Sequence, residues 1–238
     1  MTDVSGFAET LEQAVRDVRA VPKLTATAPF DVAAAYEIQR AGIARRERRG
    51  ERRIGVKMGF TSRAKMVQMG VDDVIWGQLT DTMLVESTVD LAELIHPRIE
   101  PEIVFLLGPE GFKAAVGFEV LDSRYEDFKF TLPDVIADNA SAARFGFGAW
   151  HDPRDLSNVG LVMEIDGRVV QTGSSAAILG DPVRSLRAAV RLAREADLPL
   201  GPGSIVLAGA ATAAVPLPKD AHVRVTGAGL GSVEVTTK

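Results

Sequence analysis

From residue 53 to the C-terminus, the chain is a succession of short apolar runs separated by glycine and proline. Runs such as 54–60 and 99–107 are rich in β-branched and aromatic residues, which favour extended strands. Two further runs meet at Asp166-Gly167, a dipeptide typical of a tight hairpin turn. We therefore predict that residues 53–238 form a mostly-β domain with a few helices.

Two helices are predicted before this domain. The segment 7–20 repeats apolar residues every four positions, and the alanine-rich segment 31–50 begins at Asp31, a residue type that caps helix N-termini. The second helix ends in a run of arginines, which are favourable at a helix C-terminus. The expected fold class is α+β, with an N-terminal helical region at 1–52 and a β-rich domain at 53–238.

Composition excludes several kinds of site. The 238 residues include no cysteine, which excludes disulfides, thiolate catalysis and cysteine-ligated metals. The three histidines (His96, His151 and His222) are widely scattered, so a bound metal would be a hard cation held by carboxylates. The net charge of −5 disfavours a nucleic-acid partner. The N-terminus is unlike a signal peptide and no apolar run could span a bilayer, so we expect a cytoplasmic protein without membrane contact.

Two glutamates one residue apart interrupt the apolar run IEPEIVF at 99–105. Side chains i and i+2 leave the same face of a strand, so Glu100 and Glu102 are expected to project side by side. Glu119 interrupts another strand-like run, GFEVL. Carboxylates that converge in a partly buried site must be neutralised by protons or by a cation. A divalent ion held by the three glutamates explains the pattern, although a single such acid is more often a solvent-exposed strand residue.

Four motifs resemble those of one enzyme family. They are KMGFTSRAKMVQMGVDDVIWGQLTDTM, IHPRIEPEI, EVLDSRYEDFKF and DVIADNAS. Their order is similar to that in the hydratase/decarboxylase family of the fumarylacetoacetate hydrolase superfamily, from about residue 35 to the C-terminus. The resemblance implies a core of mixed, rolled β-sheets behind an N-terminal helical region, assembled as a homodimer or a higher homo-oligomer. Within the family, the motifs resemble the decarboxylase branch more than the hydratase branch.

The resemblance also implies a chemistry. The substrate would be a small 2-oxo-dicarboxylate, 2-oxo-3-hexenedioate, which loses CO₂ during meta-cleavage catabolism of aromatic compounds. The cofactor would be Mg²⁺ or Mn²⁺, held by Glu100, Glu102 and Glu119. By motif position, the residues of the catalytic pocket would be Lys57, Asp81, Asp138 and Ser141. The residues expected to contact substrate are Thr61, Ser62 and Arg124.

These residues also have plain structural interpretations, which the sequence leaves open. Lys57 fits a lysine whose apolar stem packs along a strand. Asp81 and Asp138 fit turn or helix-cap positions, and Ser141 fits a cap as well. Arg124 fits a counter-ion for a neighbouring acid.

Two other functions remain open at this stage. One is the sister activity, a hydratase that adds water to 2-hydroxypenta-2,4-dienoate. The other is a non-catalytic assembly partner of such an enzyme, and the presence of all three glutamates and Lys57 argues against it. A complex with the pathway hydratase is a further expectation. The segment 108–118 is shorter than the family usually has, and a deletion there would affect the position of Glu119.

Overall fold

The computed structural model describes residues 2–62, 66–67, 73–152, 154–198 and 200–238. Within these ranges, the helices are α1 (Val4–Arg16), α2 (Leu24–Thr27), α3 (Val32–Arg48), α4 (Leu132–Ala137) and α5 (Pro182–Glu195). The strands are β1 (Arg53–Gly59), β2 (Ile75–Thr80), β3 (Thr88–Val89), β4 (Arg98–Gly108), β5 (Gly111–Leu121), β6 (Ala142–Phe147), β7 (Gly160–Ile165), β8 (Arg168–Ser174), β9 (Ile205–Ala210), β10 (Val215–Pro216), β11 (His222–Gly227) and β12 (Gly231–Thr237).

The two predicted N-terminal helices are confirmed as α1 and α3. Helix α1 begins earlier than predicted, at Val4, because Asp3 caps it by accepting a hydrogen bond from the Gly6 backbone N–H at 2.9 Å. Asp31 caps α3 as predicted, since it accepts a hydrogen bond from the Ala34 backbone N–H at 2.9 Å. Helix α1 packs on α3, and α3 packs on α4 around a shared apolar cluster. The N-terminal helices therefore rest on the segment that follows β5.

The strands form two sheets. The larger has the order β2-β1-β9-β4-β5-β6, with β10 paired to β4, and the smaller has the order β3-β12-β11-β7-β8. The larger sheet is mixed, because β1 pairs with β9 in parallel while β4 and β5 are antiparallel. The largest apolar cluster contains side chains from both sheets, including Ile103 and Val225. Helices on one side and curled sheets around a common core confirm the predicted α+β class.

Strands β4 and β5 form a long hairpin that sets the position of the glutamates. Gly108 pairs with Gly111, so a two-residue turn joins the strands. The short segment 108–118 is therefore this turn and most of β5. Further along the same register, Glu100 pairs with Glu119. Despite its short length, the segment 108–118 allows Glu119 to lie opposite Glu100, as the predicted site requires.

The hairpin predicted at Asp166-Gly167 joins β7 to β8, and Gly167 adopts the positive φ of 73° that this turn needs. Among the described helices, none has the length and apolar character needed to cross a membrane. The division of the chain at residue 52 remains a prediction, because the helices and sheets share packing contacts.

Candidate metal centre

Three glutamates meet on one face of the larger sheet. Glu100 and Glu102 lie two residues apart on β4, and Glu119 lies opposite Glu100 on β5. One carboxylate oxygen from each of the three lies within 4.8 Å of the other two. Their residues are 9%, 0% and 1% exposed, respectively. Burial rules out the alternative that these acids are simply the solvent-facing residues of half-buried strands.

Lys57 on β1 provides a positive charge within the cluster. Its Nζ lies 2.9 Å from Glu119 Oε2 and donates a hydrogen bond to the Ala140 carbonyl oxygen at 3.1 Å. Burial by itself would lower the pKa of the Lys57 ammonium, but Glu119, Glu100 and Glu102 together raise it. Lys57 is therefore a fixed cation of the site rather than a lysine whose head reaches solvent.

Glu102 is the most deeply placed of the three glutamates. Its Oε2 accepts a hydrogen bond from the Gly209 backbone N–H at 2.8 Å. Burial raises the pKa of Glu102 well above its ordinary value, and the nearby Glu119 and Glu100 raise it further. Burial also raises the pKa of Glu119, although Lys57 opposes that effect. These carboxyl groups therefore bind protons tightly as long as no other cation neutralises them.

The donor set fits a hard divalent cation. Oε1 of Glu102 and Oε1 of Glu119 are buried and lack a hydrogen-bond partner among the described residues. A buried carboxylate oxygen without a partner is costly unless a proton or a metal satisfies it. Three carboxylates and one ammonium sum to a charge of −2, which one divalent ion would neutralise. Oxygen ligands of this kind are those that Mg²⁺ and Mn²⁺ prefer.

Asp138 and Ser141 lie in a buried turn beside the cluster. Three consecutive residues of this turn, Asn139, Ala140 and Ser141, adopt positive φ values of 52°, 51° and 57°. L-residues adopt this left-handed conformation at an energetic cost. The turn directs the carbonyl of Ala140 to Lys57, so its backbone is part of the site. Ser141 donates a hydrogen bond from its hydroxyl to Asp138 Oδ2 at 3.2 Å.

Arg124 holds this turn in place. Its guanidinium forms a buried ion pair with Asp138 and donates a hydrogen bond to the Asp138 carbonyl oxygen. It also donates to the carbonyl oxygens of Asp122 at 2.7 Å and Ala142 at 3.2 Å. Burial raises the pKa of Asp138 to about 6, although Arg124 acts to lower it. The observed contacts of Arg124 are therefore structural, and its predicted contact with substrate would have to replace some of them.

Asp81 lies apart from the glutamate cluster. It begins a short 3₁₀ turn after β2, where its Oδ1 accepts a hydrogen bond from the Arg52 backbone N–H at 3.0 Å and its Oδ2 pairs with Arg52 Nε at 3.0 Å. The hydrogen bonds from Arg52 lower the pKa of Asp81. These contacts match the turn role that the sequence left open, while a catalytic role remains a prediction.

Thr61 and Ser62 follow β1 at the edge of the described residues. Thr61 is buried and lies so close to Gly209 that a Cβ on that glycine would stand 2.1 Å from the threonine Oγ1. Its carbonyl oxygen accepts a hydrogen bond from the Leu179 backbone N–H at 2.8 Å. Thr61 is thus next to the residue that holds Glu102, and the substrate contacts predicted for Thr61 and Ser62 remain predictions.

Sequence reasoning missed the backbone groups of this site. The N–H of Gly209 and the C=O of Ala140 hold Glu102 and Lys57, respectively. A glycine inside the apolar strand β9 is a weak signal of close approach by another group. The turn at Ala140 contains no glycine, so its left-handed conformation leaves no sequence signal that we can identify.

Comparison with known proteins gives a consistent result. No family model matches the sequence. The chain is 52% identical to a 4-oxalocrotonate decarboxylase of a Pseudomonas species, with 98% of each chain covered. It is 38% identical to a 2-hydroxypent-2,4-dienoate hydratase of Pseudomonas putida, over 76% of this chain and 91% of the hydratase.

Solved structures agree with these relatives. The fold is similar to that of 4-oxalocrotonate decarboxylase from Pseudomonas putida G7 complexed with magnesium and adipate, with a TM-score of 0.96, 37% identity, and coverage of 100% of this chain and 99% of that chain. Fumarylpyruvate hydrolase from Pseudomonas aeruginosa shares the fold at a TM-score of 0.58 and 15% identity, over 78% of this chain and 89% of that chain. The chain belongs to the hydratase/decarboxylase family.

Proposed function

We propose that this protein is a metal-dependent carboxy-lyase that converts 2-oxo-3-hexenedioate (4-oxalocrotonate) to 2-hydroxypenta-2,4-dienoate and CO₂. The observation that carries the proposal is the buried cluster of three glutamates with Lys57. The decarboxylase branch is favoured because the 52% identity to a 4-oxalocrotonate decarboxylase exceeds the 38% identity to a hydratase.

The metal would be Mg²⁺, with Mn²⁺ as an alternative, held by Glu100, Glu102 and Glu119. Buried carboxylate oxygens without partners and the shared charge of −2 support this assignment. A decarboxylase of similar fold is complexed with magnesium and adipate. When bound, the ion would supply Lewis acidity toward the 2-oxo group of the substrate.

The chemistry to be catalysed is the loss of the carboxylate farthest from the 2-oxo group. The bond between C5 and C6 breaks, C6 leaves as CO₂, and the electron pair moves through the conjugated chain to the C2 oxygen, which then takes a proton. Lys57 would stabilise the negative charge that develops on this oxygen. Its ammonium is buried and fixed by Glu119 and Ala140, so it needs little reorganisation during the reaction.

We propose that Asp138 transfers the proton. Asp138 suits this role because a carboxyl with a pKa of about 6 can both take and give a proton near neutral pH. Ser141 could connect it to the site, since the hydroxyl of Ser141 contacts Asp138. Asp81 is the weaker candidate, because its hydrogen bonds from Arg52 keep the carboxyl ionised.

A two-substrate assay tests the proposal. The purified protein would be given 2-oxo-3-hexenedioate and, separately, 2-hydroxypenta-2,4-dienoate, with Mg²⁺ and with a chelator. We expect CO₂ release from the first compound that chelator abolishes. Hydration of the second compound without CO₂ release would instead identify the hydratase activity. Absence of both reactions, combined with co-purification with a hydratase, would favour the assembly partner.

We infer a homodimer or larger homo-oligomer in the cytoplasm, and a complex with the pathway hydratase, from the resemblance of the sequence motifs alone. Light scattering on the purified protein, with and without the hydratase, would measure the mass of the homo-oligomer and of the complex.

A further inference from the structure

Arg98 lies at one end of the glutamate face. It is the first residue of β4, two positions before Glu100, so both side chains leave the same face of the strand. Two strand residues separate positions along the chain by about 6.6 Å. Arg98 therefore leaves the same face of β4 as Glu100 and Glu102, one such step beyond Glu100 and outside the group of three glutamates that would hold the metal.

Among the described residues, the guanidinium of Arg98 has one partner, an aromatic ring. Within the described parts of the chain, this guanidinium forms no ion pair and no side-chain hydrogen bond, and it lies over the ring of Phe128, 4.8 Å from Cζ to the ring centroid. Phe128 is in turn held by His96, with ring centroids 5.0 Å apart. A half-buried arginine without an anion keeps donors that a carboxylate would satisfy.

Among the described residues, the other cations near this face already have partners. Lys57 is paired with Glu119, and Arg124 is fully engaged in the buried turn. Lys113, the remaining basic residue of β4 and β5, lies at the far end of the hairpin opposite Leu106. Arg98 is thus the basic residue of β4 and β5 at the glutamate end of the hairpin, and no described residue forms an ion pair with it.

The spacing suits a dicarboxylate. In a six-carbon diacid, five carbon–carbon bonds separate the two carboxylate carbons, or about 6 Å in an extended chain. This length is comparable to the step along β4 from Glu100 to Arg98, and the long arginine side chain covers any difference. The related decarboxylase complexed with adipate holds a diacid of this length.

We infer that Arg98 is the specificity residue that binds the distal carboxylate of the substrate, the one that leaves as CO₂, while Phe128 supports the guanidinium. The inference rests on the proposed function. The attraction between Arg98 and this carboxylate disappears as the carboxylate becomes neutral CO₂. Arg98 would therefore strengthen substrate binding without lowering the barrier to bond breaking.

This role predicts a particular kinetic signature. Arg98→Gln is expected to raise KM for 2-oxo-3-hexenedioate by about 10- to 100-fold, the value of a charge-assisted hydrogen bond, and not to lower kcat. Arg98→Lys keeps the charge but loses the planar fork, so its KM is expected to be intermediate. Arg40→Gln, an exposed arginine of α3, is the matched control and should behave as wild type.

Binding of unreactive acids provides a second readout. Calorimetry would measure the affinity of the Mg²⁺-loaded protein for adipate and for hexanoate, which lacks the distal carboxylate. The wild type is expected to prefer adipate, and Arg98→Gln is expected to lose that preference by weakening adipate alone. Circular dichroism and the melting temperature would confirm that the variants fold.

The possible results separate the two proposals. A wild type that releases no CO₂ would contradict the proposed function. A wild type that decarboxylates, together with an unchanged KM in Arg98→Gln, would overturn only the role of Arg98. A fall in kcat at constant KM, or an equal loss of adipate and hexanoate binding, would also overturn it, because either result would place Arg98 elsewhere in the reaction.

Discussion

Replacing Glu102 by glutamine tests the metal centre most directly. The amide oxygen of glutamine can still accept the hydrogen bond from the Gly209 N–H, and the amide NH₂ takes the place of Oε1, which lacks a hydrogen-bond partner among the described residues. The substitution therefore keeps the shape and polar contacts of the site. It removes one carboxylate from the ligand set and changes the summed charge of the four groups from −2 to −1.

The expected effect on stability has two parts of opposite sign. In the metal-free protein, Glu102→Gln should raise the melting temperature, because a carboxyl that is destabilised by burial and like charge has been removed. With Mg²⁺ at one hundred times its dissociation constant, the wild type should gain about 2.7 kcal/mol. For a chain of this size, that gain corresponds to a shift of about 5–10 °C. If the variant binds Mg²⁺ 100-fold more weakly, the same concentration gives about 0.4 kcal/mol, or a shift of about 1 °C.

The measurement is a thermal melt followed by circular dichroism across a Mg²⁺ titration, at fixed pH and ionic strength. Glu110→Gln is the matched control, because this glutamate is exposed in the turn between β4 and β5. The control should show the wild-type melting temperature and the wild-type response to Mg²⁺. A full Mg²⁺ shift in Glu102→Gln would refute the ligand assignment. A lower melting temperature in its metal-free form would refute the electrostatic argument.

Three further substitutions test the surroundings of the site. Gly209→Ala should cost about 1–3 kcal/mol and reduce the Mg²⁺ shift, because Gly209 has a φ of 109° and its N–H positions Glu102; thermal melts measure both effects. Asp138→Asn should remove about 3 kcal/mol of pH dependence between about pH 4 and 6. In that window the folded wild type, with its pKa of about 6, binds a proton more tightly than the unfolded chain, so its stability falls as the pH rises; urea unfolding at several pH values measures the slope. Tyr125→Phe should cost about 1 kcal/mol through loss of the 2.9 Å hydrogen bond to the Asp134 carbonyl, with no change in the Mg²⁺ shift.

Each of these three predictions has a result that would contradict it. Gly160→Ala is the control for Gly209→Ala, because a Cβ at Gly160 would meet nothing within 4 Å; equal melting temperatures for the two variants would contradict the strain argument. An unchanged pH slope in Asp138→Asn would show that this carboxyl is not the group that titrates near pH 6. A reduced Mg²⁺ shift in Tyr125→Phe would show that the helix α4 affects metal binding more than its contacts indicate.

The glutamates could be predicted from sequence because their geometry depends only on local rules. Alternation along β4 is enough to place Glu100 and Glu102 on one face. The third member, Glu119, depends on the register of the hairpin, and the two-residue turn sets that register. Sequence pattern and structure agree here because strand alternation and the length of one turn are enough to fix the positions of the three glutamates.

The support of the site could not be predicted in the same way. The left-handed turn at Asn139–Ser141 has no glycine to mark it, so nothing local distinguishes it from a simple helix end. Arg124 resembles a substrate-binding cation in sequence, but its carbonyl partners come from segments that only the folded chain brings together. Asp81 follows β2 within a motif that resembles the family. Its pairing with Arg52 depends on where the fold places the residue that precedes β1, which the motif does not specify.

The N-terminal helices have a part in the site although they contribute no ligand to it. Gln39 of α3 donates hydrogen bonds to the carbonyl oxygens of Trp76 and Ile136, each at 3.0 Å, and so links β2 to α4. Asn139 pairs with the backbone of Gln78 through both its side-chain oxygen and nitrogen, at 2.7 and 2.9 Å. These buried contacts hold the strained turn in place, and a strained conformation persists only where its surroundings enforce it. The helices thus help to fix the ammonium next to the carboxylates, since that turn supplies its carbonyl partner.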